Sequence, residues 1–336
     1  MADEPRRRRR PENGGGGQRG ERGPQRREPS PEQREPSPRR AANTRRREAD
    51  GRRDQLAANS RERRSSSRSR GGRPRSELWS RVLVAIPAAV IAIVFVDLGG
   101  TAFAALMILL GWACMDELYR MLDRWRPTTA AGLAALAGMV IAARFGSQVQ
   151  VLLILVAAVP AVFVLVVLRG ERGNATVSIA GTLLGIYWIG LAFAHAELLR
   201  QLPHGGSILI DVLVGTFLGD TAAYLGGRAF GRRPLAPAIS PHKTVEGLFC
   251  GMLIAFFSVL VAGIFQEWLT TQHALMLGLG VAVAAPIGDL FESLIKRDAG
   301  AKDTGTLFGA HGGALDRLDA AMFTVVVGYY IWLGLH

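Results

Sequence analysis

The chain has 336 residues, a hydrophobic content of 49% and a formal net charge of +12. Residues 1–75 hold 24 arginines, no lysine and 11 acidic residues, whereas residues 76–336 carry a net charge of −1. This distribution excludes a protein that is basic throughout, because the excess positive charge belongs to the N-terminal arm alone.

The N-terminal arm, residues 1–77, is rich in Arg, Pro, Ser, Gly and Glu. It has too few large apolar side chains to offset its chain entropy by burial, so we predict that it is disordered. It also lacks the apolar stretch of a secretory signal peptide. The arm is interpreted as a solvated cytoplasmic tail or as a segment that binds anionic lipid headgroups. RNA binding is the least favoured interpretation, and no nucleic-acid partner is expected, because no aromatic side chains alternate with the arginines to stack on bases.

Residues 78–336 form a predicted transmembrane domain. Apolar stretches of about 20 residues, the length that crosses a bilayer as a helix, recur along it. We therefore predict an all-α polytopic membrane protein with about nine transmembrane helices. The predicted spans are 80–98, 101–118, 129–146, 148–168, 177–196, 207–225, 247–266, 272–290 and 319–335.

The basic residues of the transmembrane domain predict its orientation. With the arm in the cytoplasm, 14 of the 16 basic residues of 76–336 fall on the cytoplasmic side, and only Arg144 and Arg200 fall on the other. This asymmetry agrees with the positive-inside rule. We predict an integral protein of the cell (inner or plasma) membrane with a cytoplasmic N-terminus. Two polar segments, 226–246 and 291–318, then share the cytoplasmic face.

Lysine occurs only in these two polar segments, as Lys243, Lys296 and Lys302. Because arginine is the basic residue everywhere else in the chain, the three lysines indicate a specific demand for a compact ammonium group, as at a phosphate. A codon bias towards arginine is the alternative. The two cysteines, Cys114 and Cys250, fall inside predicted spans and offer no disulfide framework.

The first polar segment is part of GDTAAYLGGRAFGRRPLAPAISPHKTVEG, residues 219–247. Its basic cluster and its hydroxyl and acidic side chains are typical of a site that binds a phosphorylated substrate. A helix cap is a second interpretation for Thr244 and Glu246. The candidate substrate-binding residues are Asp220, Arg228, Ser240, Lys243, Thr244 and Glu246.

The stretch GDLFESLIKR, residues 288–297, ends the eighth predicted span. Asp289, Glu292, Ser293 and Lys296 have the spacing that places them on one helix face. A carboxylate at membrane depth is costly and usually faces a cavity, a partner or an ion, so Asp289 is a candidate metal ligand. The alternative is a helix-end carboxylate paired with Lys296 or Arg297.

The segment 296–319 has more charge than a simple connector needs. Glycines directly before a helix let backbone N–H groups approach an anion, and the helix dipole favours negative charge there. Carboxylates beside lysine and arginine fit a divalent cation that holds a polyphosphate, whereas a charged connector with capping aspartates is the alternative. The candidate residues are Lys296, Arg297, Lys302, Asp303, His311, Gly312, Gly313, Asp316, Arg317 and Asp319. His311 fits a general base, a phosphate ligand or a turn residue, and zinc is disfavoured because no His or Cys lies at ligand spacing.

These residues resemble the phosphatidate cytidylyltransferase family, also called CDP-diacylglycerol synthase, over roughly residues 80–336. The chain departs from the family pattern at Ala314, where a larger aliphatic residue is usual, and at His242, where relatives often carry lysine. The matching C-terminal positions are Ser293, Lys296, Arg297, Lys302, Asp303, Gly305, Phe308, Gly309, His311, Gly312, Gly313, Asp316, Arg317 and Asp319. The matching upstream positions are Asp220, Tyr224, Arg228, Phe230, Gly231, Ser240, Pro241, Lys243, Thr244, Glu246 and Gly247.

The resemblance implies a reaction, cofactors and partners. The enzyme would condense CTP with phosphatidic acid to give CDP-diacylglycerol and pyrophosphate. Membrane lipids are therefore expected partners. It would use Mg²⁺ held by Asp289 and Asp316, with a second cation nearby for which a monovalent ion is a candidate. The resemblance also implies a homodimer.

Our hypothesis divides the predicted site residues by role. Lys296, Arg297, Lys302 and Arg317 would neutralise phosphate charge. Asp303 and Asp319 would orient those cations or complete the metal shell, and His311 completes the predicted catalytic set. The predicted substrate-binding residues are Asp220, Arg228, Ser240, Lys243, Thr244, Glu246, Ser293, Gly312 and Gly313.

Two other functions fit parts of the sequence. One is a CTP-dependent polyprenol or dolichol-type lipid kinase, which belongs to a distantly similar membrane family. An anion transporter would place its charges near the membrane midplane, often in repeated halves. The charges here collect at one face and no repeat is apparent, which disfavours a transporter.

Overall fold

The computed structural model describes residues 90–170, 173–301, 304–305 and 312–335. The predicted arm, residues 1–77, lies outside this part of the chain. So does the first half of the predicted span 80–98, of which residues 90–98 are helical.

Eight further helices form most of the described chain. The fourth contains one π-helical turn, Ile186–Gly190, and is continuous through it. The helices are α1 (Gly100–Met121), α2 (Thr129–Phe145), α3 (Gln148–Leu168), α4 (Ala175–Gln201), α5 (Gly205–Phe230), α6 (Val245–Phe265), α7 (Thr271–Ala299) and α8 (Leu315–Gly334).

Six of these helices, α1 and α3 to α7, are long and apolar enough to cross a membrane. Helix α2 is apolar but shorter, and α8 has 20 residues and begins with charged side chains. The protein is therefore mostly helical and has the character of a polytopic membrane protein. The count of nine spans stays a prediction.

Hydroxyl side chains begin three of the helices. Ser147 Oγ accepts from Val149 N at the start of α3, Thr244 Oγ1 from Gly247 N before α6, and Thr270 Oγ1 from His273 N before α7. Each cap satisfies a backbone donor that the helix itself leaves unpaired. These polar caps mark the helix starts that hydropathy alone places only approximately.

Two helices extend beyond their predicted ends. Helix α5 continues to Phe230 instead of residue 225, and α7 to Ala299 instead of residue 290. The predictions stopped where the apolar sequence stops, but polar residues continue a helix until a breaker is met. For α7 that breaker is Gly300, with a left-handed φ of 73°. Lys296 and Arg297, which lie beyond the predicted end of the span, are therefore helical, as the helix-face spacing of residues 289–296 predicted for Lys296.

A small hairpin joins α5 to α6 and was not predicted. Its strands β1 (Pro234–Ala236) and β2 (Ser240–Thr244) are antiparallel, with Pro234 opposite Thr244 and Ala236 opposite Ser240. The Glu246 carboxylate accepts hydrogen bonds from the N–H groups of Arg232 and Arg233. These bonds fix the base of the hairpin against the start of α6.

Glycines bring the backbones of α5 and α6 close together. A Cβ atom on Gly219 would lie 2.9 Å from Ala255 Cβ, and one on Gly226 would lie 2.5 Å from Cys250 Cβ. A Cβ atom on Gly251 would lie 2.9 Å from the Gly219 carbonyl oxygen. Small residues of this kind allow helices to pack closely in membranes, where no hydrophobic effect drives the contact.

We expect Gly226→Ala to destabilise the protein by about 1–3 kcal/mol, because the added methyl overpacks the contact with Cys250. Thermal unfolding in detergent measures this change. The matched control is Gly334→Ala at the exposed end of α8, where nothing lies within 4 Å of the added atom. Equal melting temperatures for both variants would contradict the role of close packing.

Candidate active site

A cavity of ≈ 590 Å³ lies between α5, the hairpin, α6 and α7. Its polar lining includes every predicted substrate-binding residue of the first polar segment except Glu246. Much of its apolar lining comes from α6 and α7, for example Met252, Ala255 and Ala282. The polar lining residues are Asp220, Tyr224, Arg228, Ser240, His242, Lys243, Thr244 and Asp289. One cavity therefore has a charged part and an apolar part.

Lys243 connects the hairpin to α7. Its Nζ lies 2.6 Å from Asp289 Oδ1 and 3.4 Å from Ser293 Oγ. The helix spacing that places Asp289 and Ser293 on one face is thus confirmed by their shared contact. The alternative partners considered from the sequence for Asp289 were Lys296 and Arg297, and the structure instead pairs it with a lysine 46 positions earlier in the chain. Asp220, from α5, is also close enough to Asp289 and Lys243 to interact with both electrostatically.

Lys296 is the centre of a second group. Its Nζ lies 2.6 Å from Glu292 Oε2 and 3.0 Å from Asp316 Oδ1. The Glu292 side chain is 1% exposed and the Lys296 side chain 16% exposed. This group therefore joins α7 to the start of α8 through buried charges.

Asp319 connects the two groups electrostatically. It is buried, and it interacts with Glu292 in the second group and with Asp289 and Asp220 in the first. Together the groups contain five carboxyl side chains, and the lysines paired with them are Lys243 and Lys296. Their oxygen atoms offer several candidate ligands for a cation.

The predicted metal ligands are divided between the groups, because Asp289 pairs with Lys243 and Asp316 with Lys296. Within the described ranges, no three His, Cys, Asp or Glu side chains form a ready metal-binding set. The donor chemistry nevertheless fits Mg²⁺, which prefers carboxylate oxygens. The assignment of Mg²⁺ to Asp289 and Asp316 stays a prediction.

The start of α8 is organised around Asp316. Its carboxylate accepts hydrogen bonds from Gly313 N at 2.8 Å and from Thr304 N at 3.2 Å. Burial favours the neutral acid, but these N–H groups and the Lys296 ammonium outweigh it and lower the pKa of Asp316 below its ordinary value. Gly312, with φ 84°, permits the turn into this arrangement. We predicted that the N–H of Gly313 binds a phosphate, but in this structure it donates a hydrogen bond to the Asp316 carboxylate.

Three further predicted site residues make structural contacts. Thr244 caps α6, as its second interpretation predicted, and also lines the cavity. Glu246 holds the N–H groups at the base of the hairpin. Arg297 Nε donates to the Ile239 carbonyl at 3.0 Å, which fastens the hairpin turn to α7.

The remaining predicted residues are placed as follows. Arg317 is exposed in the first turn of α8. Arg228 is exposed at the end of α5, where it lines the cavity. Lys302, Asp303 and His311 lie outside the described residues, so their predicted roles stay predictions.

Sequence reasoning missed Glu117 as a site residue and assigned no role to Glu292. Glu117, near the end of α1, is buried and accepts a hydrogen bond from Leu315 N at 2.9 Å. The available signal was an acidic residue at the end of an apolar span, which resembles ordinary flanking charge. Glu292 was placed on the correct helix face, but the sequence does not reveal that it is the most buried carboxylate of that face.

Comparisons with known proteins identify the family. The family model described as "Cytidylyltransferase family" matches residues 79–334. Phosphatidate cytidylyltransferase of Bacillus subtilis is 30% identical over 277 residues, 76% of this chain and 97% of that protein. Phosphatidate cytidylyltransferase of Staphylococcus haemolyticus is 28% identical over 252 residues, 73% of this chain and 95% of that protein. An uncharacterized protein of Escherichia coli, YnbB, is 41% identical over 150 residues, 43% of this chain, and the match spans half of its length.

The fold and the site define a polytopic helical membrane protein whose charged cavity lies at the ends of neighbouring helices. The chain belongs to the cytidylyltransferase family, with relatives that are phosphatidate cytidylyltransferases. Membership makes it an enzyme, a nucleotidyltransferase, and confirms the family that the sequence motifs indicated.

We expect Lys296→Met to destabilise the protein by about 3–5 kcal/mol, because it leaves the buried carboxylates of Glu292 and Asp316 without their cation. The control is Arg120→Met, which removes a pair with Asp116 whose side chains are 77% and 39% exposed. Exposed pairs contribute less than about 1 kcal/mol. Thermal unfolding of both variants in detergent gives the comparison, and equal losses would show that the Lys296 group is not a buried ion-pair network.

Proposed function

We propose that the enzyme transfers the cytidylyl group of CTP to phosphatidic acid, giving CDP-diacylglycerol and pyrophosphate. The observation that carries this proposal is the single cavity with two kinds of lining. Asp220, Lys243 and Asp289 supply charge for a nucleotide and its phosphates, while Met252 and Ala282 supply an apolar wall for acyl chains. Family membership and the named relatives support the same reaction.

The reaction is an in-line substitution at phosphorus. A phosphate oxygen of phosphatidic acid attacks the α-phosphorus of CTP and forms a new P–O bond. The bond from the α-phosphorus to the oxygen that bridges to the β-phosphorus breaks, and pyrophosphate leaves with that electron pair. The nucleophile is already an anion, so catalysis rests on positioning and charge neutralisation and needs no strong base.

Lysines and arginines of this chain neutralise the phosphates in this scheme. Lys243 holds Asp289 at 2.6 Å, and a cation bound to that carboxylate would release the ammonium for a phosphate. Lys296 stays between Glu292 and Asp316, where it keeps the Asp316 carboxylate in place. We assign Arg228, which is exposed at the cavity, and Arg317, which is exposed at the start of α8, to phosphate groups of the substrates.

The carboxylates Asp289 and Asp316 are the proposed ligands of Mg²⁺. The ion would neutralise the charge that develops on the triphosphate when it is bound. Asp220 interacts with Asp289 and is a further carboxylate for a second cation, with a monovalent ion as a candidate.

We also propose the cell membrane as the location, with the N-terminus and the site on the cytoplasmic side. The charge asymmetry of the chain supports this orientation. It also suits the substrates, because CTP is dissolved in the cytosol while phosphatidic acid stays in the bilayer. A homodimer is proposed from the family resemblance, and chemical cross-linking in native membranes followed by mass determination tests it.

The decisive assay uses the purified full-length protein in detergent with CTP, Mg²⁺ and phosphatidic acid. Pyrophosphate and CDP-diacylglycerol are the expected products in equal amounts. A parallel reaction supplies a polyprenol in place of phosphatidic acid, and release of CDP together with polyprenyl phosphate there would instead indicate a CTP-dependent lipid kinase. If neither pair of products forms, the proposed function is wrong.

In the same assay, Asp289→Asn should lower kcat about 100-fold or more, because it removes one charge from the proposed metal ligand while keeping the side chain's size. Asp116→Asn is the control, since Asp116 lies in α1 and pairs with Arg120 at the surface. Full activity of Asp289→Asn would contradict the assignment of Asp289 as a metal ligand, even if the wild type catalyses the proposed reaction.

A further inference from the structure

A carboxylate from the first half of the chain contacts residues 304–305 and 313–315, which precede Asp316 in the chain. Glu117, near the end of α1, is 6% exposed. Its Oε2 accepts hydrogen bonds from Leu315 N at 2.9 Å and from Thr304 Oγ1 at 3.4 Å. Leu315 is the first residue of α8, so the carboxylate also lies at the positive end of that helix dipole.

Two glycines, Gly305 and Gly313, allow the backbone to lie close to the Glu117 carboxylate. A Cβ atom on Gly305 would lie 2.6 Å from Glu117 Oε1, and one on Gly313 would lie 2.2 Å from Glu117 Oε2. Real Cβ atoms do not approach other atoms so closely. Glycine at 305 and 313 is therefore required by the position of Glu117, and the backbone on both sides of the carboxylate is held at contact distance.

Thr304 connects Glu117 to Asp316 through two hydrogen bonds. Its hydroxyl donates to Glu117, while its backbone N–H donates to Asp316 at 3.2 Å. Asp316 in turn pairs with Lys296 at 3.0 Å. Two neighbours of Asp316, the N–H donor Thr304 and the adjacent Leu315, are thus both fixed by one side chain of α1.

A second contact from the same part of the chain holds the other side of this segment. Arg124, just after α1, donates through Nη2 to the backbone carbonyl of Asp298 in the last turn of α7. The end of α1 and the turn after it therefore contact both the last turn of α7 and the first residue of α8.

Stability alone does not explain Glu117. A buried carboxylate loses its hydration, and among the described residues its Oε1 accepts no hydrogen bond. An apolar side chain of similar size would avoid this cost, but it could not accept the N–H of Leu315 or the hydroxyl of Thr304. What the carboxylate supplies is a fixed position for the start of α8.

We propose that Glu117 is a positioning residue for cytidylyl transfer, which acts through Thr304 and Leu315 to place Asp316 beside Lys296. The proposal rests on the proposed function. It gives Gly305 and Gly313 a role as contact surfaces for Glu117, in addition to any role toward a phosphate.

The first test compares Glu117→Ala and Glu117→Gln in the assay of pyrophosphate release, with kcat and KM measured for each substrate. Glu117→Ala should lower kcat about 10- to 100-fold, the range known for residues that orient a metal ligand, with little change in the KM for phosphatidic acid. Glu117→Gln keeps the size and an acceptor oxygen, so it should restore kcat to within a few-fold of the wild type. Asp116→Ala, next to Glu117 but paired with Arg120, should leave kcat unchanged.

Two results overturn the proposal. Wild-type kcat in Glu117→Ala would show that the contact is not needed for the reaction. A loss in Glu117→Gln equal to that in Glu117→Ala would show that the charge is needed, which indicates direct contact with a cation or substrate and not positioning.

A double-mutant cycle with Gly305→Ala tests the contact itself. Gly305→Ala alone should lower kcat, because the three atoms nearest to its Cβ all belong to the Glu117 side chain, with Oε1 at 2.6 Å. In the Glu117→Ala background those atoms are gone, so the same change should cost several-fold less. Strictly additive losses would contradict a shared contact.

Hydrogen exchange tests the positioning role of Glu117 independently of the proposed reaction. The amides of Thr304, Gly313 and Leu315 should exchange at least several-fold faster in Glu117→Ala than in Asp116→Ala, whether or not substrate is turned over. Unchanged exchange would overturn the proposal even in an active enzyme. An inactive wild type with the expected exchange difference would instead place the failure in the proposed function.

Discussion

Charged groups at the ends of membrane helices need partners, and this need determines how the second half of the molecule is joined. Removing a charge from water costs several kcal/mol unless an opposite charge and hydrogen bonds compensate. Lys243 meets the need by bridging the hairpin to α7, and Lys296 does so by bridging α7 to α8. The same side chains that give the cavity its chemistry therefore hold its walls together. Any anion or cation that binds must exchange with contacts already present, so binding and local structure are coupled.

The shape of the cavity has a different origin. Gly219, Gly226 and Gly251 let α5 and α6 approach until atoms of the two backbones nearly touch. Helix α7 adds Ala282 and Ala285 to the lining, where small side chains leave room. Polar contacts thus hold the charged part of the cavity together, and small side chains give its apolar part its volume.

The sequence predicted the helices well because hydropathy is a local property. Seven of the predicted spans correspond to α1 to α7 within a few residues at most ends, and the last corresponds to α8. The motif residues Asp220, Lys243 and Asp289 line one cavity, while their roles toward substrates and metal stay predictions.

Other features could not be predicted because they depend on contacts between distant parts of the chain. The pairing of Lys243 with Asp289 and the approach of Glu117 to Leu315, 198 positions away, have no local signature. The hairpin was missed because its strands have three and five residues and lie in a segment rich in proline and basic residues. The extent of α7 was missed because polar residues that prolong a helix look like the loop that a membrane topology would place there.

The outer face of α6 has a kinetic consequence. Phe249, Leu253 and Phe257 are exposed on the helix that lines the cavity with Met252 and Ala255. In a bilayer these side chains are solvated by lipid tails, so the apolar wall of the cavity has membrane directly behind it. A lipid substrate would arrive by lateral diffusion in two dimensions, and its product would depart the same way. The rate would then follow the mole fraction of phosphatidic acid in the bilayer and not its amount per volume of solution. Inert lipid added at constant substrate would slow the enzyme by surface dilution alone.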